Sequence, residues 1–96
     1  MLWAAPASDA KLFAMPLFFF DTRDDAELIR DDMGLEFPDL ETVRAQAAKS
    51  LAELAVDVLP CSTERCLGVD VRDGSDRAVL TTELTFKAVF IVDVFG

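Results

Sequence analysis

Hydrophobic and polar residues follow one another along the chain in an order that predicts two short strands, a long helix and a two-stranded hairpin. Residues 17–21 (LFFFD) are almost all large and apolar, as is typical of a strand that is covered on both faces. Residues 27–30 (ELIR) predict a shorter strand at the edge of a sheet. The polar residues 22–25 and 31–34 predict the turns before and after that second strand.

The helix is predicted between Asp39 and Pro60. Asp39 follows a proline and is a good N-cap, whereas Pro60 cannot continue a helix. Six apolar residues of this segment share one face of the helix, and they are Leu40, Val43, Ala47, Leu51, Leu54 and Val58. Beside that face, Ala48 and Ala52 belong to a second row of small residues that would let another surface approach closely. The alternative is that alanine occurs there because it is the best helix former.

A hairpin follows the helix. Residues 66–72 and 78–87 each alternate between apolar and polar positions, and the Asp-Gly dipeptide between them predicts a turn at residues 73–76. In the second of these strands the even-numbered residues are predicted to face the helix and the odd-numbered ones to face outward. The elements together predict an α+β fold of order ββαββ, in which one long helix packs on a mostly antiparallel sheet of about four strands.

The last residues, 88–96 (AVFIVDVFG), are almost wholly apolar. Left exposed at a sheet edge they would promote aggregation. We therefore expect this segment to prolong the last strand, to cover the open face of the sheet or to pair with another subunit.

The chain has 96 residues, and we expect a single domain over residues 15–96 preceded by an N-terminal extension, residues 1–14. The extension lacks a basic start and does not resemble a signal peptide, so a cytoplasmic protein is expected. Hydrophobic residues make up 52% of the chain, more than a core of this size can hide, which predicts a homodimer. The residues predicted at the interface are Phe18, Phe20, Ala48, Ala52, Phe90 and Val92.

Composition excludes several kinds of chemistry. The net charge is −9, and the chain has no basic stripe, so neither nucleic acid nor an anionic membrane surface is an expected partner. A basic protein partner remains compatible with this charge. The chain has no histidine, which removes the commonest general base, the commonest metal ligand and every Ser–His or Cys–His pair.

Two small clusters could carry chemistry. Asp21, Asp24 and Asp25 would lie at one end of the first hairpin and are weak candidates for a cation site, although turn-forming carboxylates explain them better. Cys61 and Cys66 are two ligands short of a zinc site and are expected to be reduced thiols, with a disulfide across the short loop as the alternative. No cofactor is expected.

Five motifs occur in a fixed order. They are MPLFFFD from Met15, DDxG at 31–34, ExPDLE at 36–41, the alanine-rich RAQAAKSLAELA, and VxVRDGSDRAVL at 69–80. This set resembles a family of small bacterial proteins of unknown function whose members often begin MPRYFFD, carry DxxGxExPDLEAARAEA and close with a VxDEDG hairpin. The resemblance covers about Met15 to Phe86 and departs in the residues before and after. It implies the same α+β fold in a bacterial, cytoplasmic protein, and it transfers no catalytic residue.

Three hypotheses for function follow. The first is a non-catalytic interaction or regulatory module that acts as a homo-oligomer. The second is an acidic inhibitor or antitoxin-like protein that masks a basic partner. The third is an enzyme that uses a metal ion held by the aspartate cluster.

Overall fold

A computed structural model describes residues 15–92 of the chain. Its elements are β1 (Leu17–Asp24), β2 (Glu27–Ile29), β3 (Leu35–Glu36), α1 (Leu40–Val58), a short 3-10 turn (Leu59–Cys61), β4 (Glu64–Asp73) and β5 (Ala78–Lys87). One long helix packs on an antiparallel sheet, so the predicted α+β class is confirmed. The predicted extension, residues 1–14, and the last four residues of the predicted apolar tail lie outside the described residues.

All strand pairs are antiparallel, and the order across the sheet is β2-β1-β4-β5. β3 also pairs with β1, where Phe18 lies opposite Leu35, while β2 pairs with the other end of β1. Because β4 occupies one side of β1 along most of its length, β2 and β3 share its other side. Among the described residues, one edge of the sheet is therefore made of two short strands, and the opposite edge is made of β5.

The core lies between α1 and the middle strands. The carboxylate of Asp39 accepts a hydrogen bond from the Thr42 N–H at 2.8 Å, which confirms the predicted N-cap. Val43 and Ala47 of the helix are fully buried against the core strands. The side chains that complete the buried cluster are Phe18, Val69 and Val71. In β5 the even-numbered residues from Leu80 onward are partly buried on the helix side and the odd-numbered ones are exposed, as predicted.

Local turn signals were misleading at residues 22–24. These residues were predicted to form a turn, but they continue β1, and the turn is confined to Asp25 and Ala26. Thr22, for example, lies opposite Val69 of β4. Pairing with a distant strand thus overrides the polar character of the segment, and the chain reverses where Asp25 adopts a positive φ of 54°.

The segment before the helix forms an additional strand, and the apolar tail after β5 does not form one. Residues 35–36, which lie between the predicted second turn and the predicted helix, form β3 against the start of β1. The apolar tail does not prolong β5, which ends at Lys87. The described part of the tail, from Ala88 to Val92, is exposed.

Candidate functional site

The face of the sheet opposite the helix carries charged side chains that are paired across strands. Asp21 of β1 is only 8% exposed. The Arg72 Nε donates to Asp21 Oδ2 at 2.9 Å, and the Arg72 guanidinium carbon lies 4.6 Å from the centre of the Phe19 ring. Burial of a carboxylate is unfavourable unless a partner of opposite charge compensates it. Arg72 therefore both neutralises Asp21 and covers an aromatic side chain on this face.

Asp31 closes the gap between the two short edge strands. The Phe20 N–H donates to Asp31 Oδ2 at 3.0 Å, and the Met33 and Gly34 N–H groups donate to Asp31 Oδ1 at 3.0 and 3.3 Å. Partial burial raises the pKa of Asp31, but these three backbone hydrogen bonds and the charge of Arg72 outweigh that effect and lower the pKa below its ordinary value. The side chain thus replaces a strand partner for β1.

A second ion pair crosses the middle of the same face. The Arg23 Nε donates to Asp70 Oδ2 at 2.7 Å, and Thr81 Oγ1 donates to Asp70 Oδ1 at 2.6 Å. The hydrogen bond from Arg23 lowers the pKa of Asp70. Gly68 makes room for this arrangement, because a Cβ atom there would overlap the guanidinium group of Arg23. The charged side chains of this face form their hydrogen bonds and ion pairs with one another. The face is therefore a poor docking surface for an apolar partner.

The three aspartates predicted as weak metal ligands do not form one cluster: Asp24 and Asp25 both lie within ion-pair distance of Arg65, whereas Asp21 pairs with Arg72. Asp21 pairs with Arg72 on the open face, whereas Asp24 points to the helix side and receives two hydrogen bonds from Arg65, at 2.6 and 2.8 Å. That pairing lowers the pKa of Asp24. Asp25 Oδ1 accepts from the Cys66 N–H at 2.9 Å. Within residues 15–92, no three acidic or cysteine side chains converge in a way that could hold a cation.

The two cysteines are free thiols and have different surroundings. Cys61 is exposed at the end of the 3-10 turn, while Cys66 lies on the open face of β4. Cys66 Sγ donates to Glu83 Oε2 at 3.0 Å. This hydrogen bond, burial and the negative charge of Glu83 raise the pKa of the Cys66 thiol, which keeps it protonated and a weak nucleophile.

The predicted interface residues fall into three groups. Phe18 is 5% exposed and Phe20 packs edge-on against Phe37 at 5.6 Å, so these two side chains belong to the core and its margin and do not form an outer surface. Ala48 and Ala52 lie on the exposed side of α1. Phe90 and Val92 are exposed in the tail. Because residues 17–20 are all large and apolar, their pattern does not show which of them face the helix.

Most of the exposed large apolar side chains lie at the sheet edges and in the tail, and two others, Leu40 and Val56, lie on α1. Phe90 and Ile91 are 87% and 90% exposed, and they directly follow the edge strand β5. Four apolar side chains are exposed at the opposite edge, and they are Leu28, Ile29, Met33 and Leu35. They were not predicted as interface residues. The predicted edge position of residues 27–30 could have pointed to the first two. On the sheet, the exposed apolar surface of the described chain is thus at the edges and in the tail that follows β5, not on the charged face.

Geometry and composition define a small acidic α+β domain with an exposed apolar segment beside an edge strand. Residues 17–85 match the family described as DUF6894, a domain of unknown function, and the chain belongs to that family. Comparison with curated proteins and with solved structures gives no match. The family match names no enzymatic activity. The one long helix of the described chain, α1, is not apolar enough to cross a membrane.

Proposed function

We propose that this protein is a non-catalytic interaction module that acts as a homodimer. The observation that carries the proposal is the exposure of Val89, Phe90, Ile91 and Val92 immediately after β5. Exposed consecutive apolar residues are unfavourable in water, and fully burying one large apolar side chain contributes about 1.5–3 kcal/mol. A second copy of the chain is the simplest partner that covers this segment.

The charged face argues against a role in catalysis. Its arginines and carboxylates pair with each other, as in Arg23 with Asp70 and Arg72 with Asp21. An acid–base pair for catalysis would need a group with a pKa near neutrality in a cleft. The carboxylates Asp24, Asp31 and Asp70 have pKa values shifted in the opposite direction, below their ordinary range.

Sedimentation velocity of the full chain over a range of concentrations tests this proposal. We expect a dimer at micromolar concentration that dissociates on dilution, in physiological salt. A chain that remains monomeric at hundreds of micromolar would overturn the proposal. A monomer that instead forms a salt-sensitive complex with a basic protein would favour the masking hypothesis, and heat released on titration with Mg²⁺, Mn²⁺ or Ca²⁺ would favour the metal-dependent one.

A further inference from the structure

The outer edge of β5 presents backbone groups that face away from the sheet. Among the described strands β5 pairs only with β4, and it is ten residues long. The Ala88 N–H donates to the Thr63 carbonyl oxygen at 2.7 Å, which continues the register that places Glu64 opposite Lys87. In an antiparallel ladder, hydrogen-bonded pairs alternate along the strand. The even-numbered residues therefore direct their backbone groups towards β4, and the odd-numbered ones direct theirs outward.

Outward backbone groups on odd-numbered residues restrict how a second copy can pair. Two identical strands that pair antiparallel are related by a two-fold axis. The numbers of any two residues that lie opposite each other therefore add up to the same total. With the axis at Glu83 or at Lys87, like charges would meet directly, which is destabilising. With the axis at Thr85, Glu83 of each copy lies opposite Lys87 of the other. Of the arrangements centred from Glu83 to Lys87, only this one forms two opposite-charge pairs.

The same arrangement covers the exposed tail. The tail is not a strand in the described chain, so the pairing requires residues 88–90 to become extended. In that conformation Val89 lies opposite Thr81 of the second copy and Phe90 lies opposite its Leu80. A shallow depression of about 500 Å³ lies at this end of β5, and it is lined by Asp70, Ala78, Val79, Leu80 and Thr81. Leu80 already packs against the buried core cluster. Phe90 of one copy would therefore extend the apolar core of the other.

Lys87 is available for such a pair. Within residues 15–92 its ammonium group forms no ion pair, although Glu64 lies opposite it on β4, and its side chain is exposed. We propose that two copies of the chain join edge to edge through β5, antiparallel about a two-fold axis at Thr85, with each tail completing the ladder along β5 of the other copy. This inference rests on the proposed homodimer and specifies its contact.

Charge reversal tests the register. In the E83K variant the introduced lysine would lie opposite Lys87 of the second copy, and in the K87E variant the introduced glutamate would lie opposite Glu83. Each single variant is expected to weaken self-association by about tenfold, and the double variant E83K/K87E to restore it, because opposite charges again face each other. Mixing the two single variants should give a heterodimer at least as tight as the wild-type dimer, since one copy then carries two lysines and the other two glutamates.

These measurements distinguish an incorrect β5 register from an incorrect proposal that the chain forms a homodimer. A wild-type chain that is monomeric throughout sedimentation would overturn both. A wild-type dimer whose affinity is unchanged in both single variants, or single variants that show no preference for each other, would overturn the β5 register and leave the homodimer standing. Circular dichroism of each variant establishes that the monomer is folded before affinities are compared.

A cross-link provides a second measurement that does not depend on charge. In a background with Cys61 and Cys66 replaced by Ser, T85C places two thiols opposite each other at about 5.5 Å between Cα atoms, within the range that a disulfide spans. Oxidised glutathione should convert this variant to a covalent dimer, with the glutathione reduced as the disulfide forms. T81C, which would face Val89 of the second copy, is the matched control. Equal cross-linking of the two variants would overturn the proposed axis.

Discussion

At one edge of the sheet, β2 and β3 are three and two residues long and are separated by a segment in which Asp31 binds the backbone of β1. At the other edge, β5 runs for ten residues and is followed by exposed apolar side chains. Short, interrupted strands and inward-pointing charges are common ways to prevent another chain from pairing with an edge. The comparison indicates that the β2–β3 edge is closed and that the β5 edge is open to a partner.

The same contrast explains why both edges can expose apolar side chains without being equivalent. Leu28 and Leu35 are exposed on strands too short to offer a continuous row of backbone groups. The side chains that follow β5 extend a long row of such groups. Backbone hydrogen bonds set the alignment of a paired strand and apolar side chains stabilise it, and only the β5 edge combines the two.

The largest effect is expected from a charge in the tail. Phe90→Asp should weaken self-association by about a thousandfold, because the loss of about 1.5–3 kcal/mol for each buried phenylalanine counts twice in a symmetric dimer. Sedimentation equilibrium of the variant and the wild type measures the change.

Leu28→Asp is the matched control at the closed edge. Its side chain lies opposite Arg23, so a carboxylate is tolerated there, and we expect less than about a threefold change in the dimer dissociation constant. Equal weakening by the two substitutions would mean that the β2–β3 edge also takes part in the interface, and the contrast between the edges would be lost.

The next effect concerns how the closed edge is built. Gly34 has a φ of +74°, and a Cβ atom there would lie 3.0 Å from Phe19 Cε2 and 3.1 Å from the Phe18 carbonyl oxygen. Gly34→Val should therefore reduce the free energy of unfolding by about 1–3 kcal/mol, measured by urea denaturation. Gly74 lies in the β4–β5 turn, and a Cβ atom there would meet only one atom, at 4.0 Å. Gly74→Val should therefore change the free energy of unfolding by about 0.5 kcal/mol or less. Similar losses in both variants would contradict a special role for Gly34.

Local chemistry in the sequence predicts much of the fold. The Asp39 cap, the single helix face that holds Val43 and Ala47, and the Asp-Gly turn after β4 depend on residues close together in the chain. Each has a physical cause that a short window contains. These features were predicted correctly because tertiary contacts reinforce the local preferences.

The closed edge and the charged face could not be predicted in the same way. Arg23 and Asp70 are 47 residues apart, and Arg72 and Asp21 are 51 apart, so only the strand order brings them together. The sequence of Phe18, Phe19 and Phe20 likewise contains no alternation that separates a core side chain from one lying under Arg72. The polar stretch at residues 22–25 suggested a turn for the same reason, because the partner that keeps it extended is remote.

Acid should weaken the closed edge, together with the ion pairs of Asp24 and Asp70, whose pKa values are also lowered. Because the pKa of Asp31 is lower in the folded chain than in the unfolded one, its contribution to stability is present above the unfolded pKa of about 4 and is lost as the pH falls through the folded value. Unfolding free energy should therefore decline below about pH 5. Asp31→Asn should be less stable than the wild type at neutral pH, and the difference should narrow in acid.

Asp57→Asn is the control for this experiment. Asp57 is exposed on α1, and its carboxylate accepts no hydrogen bond from the described residues. Urea denaturation across the acid to neutral range should give parallel stability curves for this variant and the wild type. If the difference in unfolding free energy between Asp31→Asn and the wild type stayed constant over this pH range, the charge of Asp31 would not be the source of its contribution to stability.

The smallest expected effect distinguishes the open edge from the helix as the surface that binds a partner. Ala48 is exposed on α1 beside the buried Ala47, on the side of the helix that faces away from the core. Ala48→Lys should change the free energy of unfolding by about 0.5 kcal/mol or less and leave the dimer intact, because lysine is a good helix former and β5 carries the contact. Dissociation of the dimer by Ala48→Lys, with Phe90→Asp having no effect, would place the interface on the small-residue side of the helix and refute the assignment of the open edge.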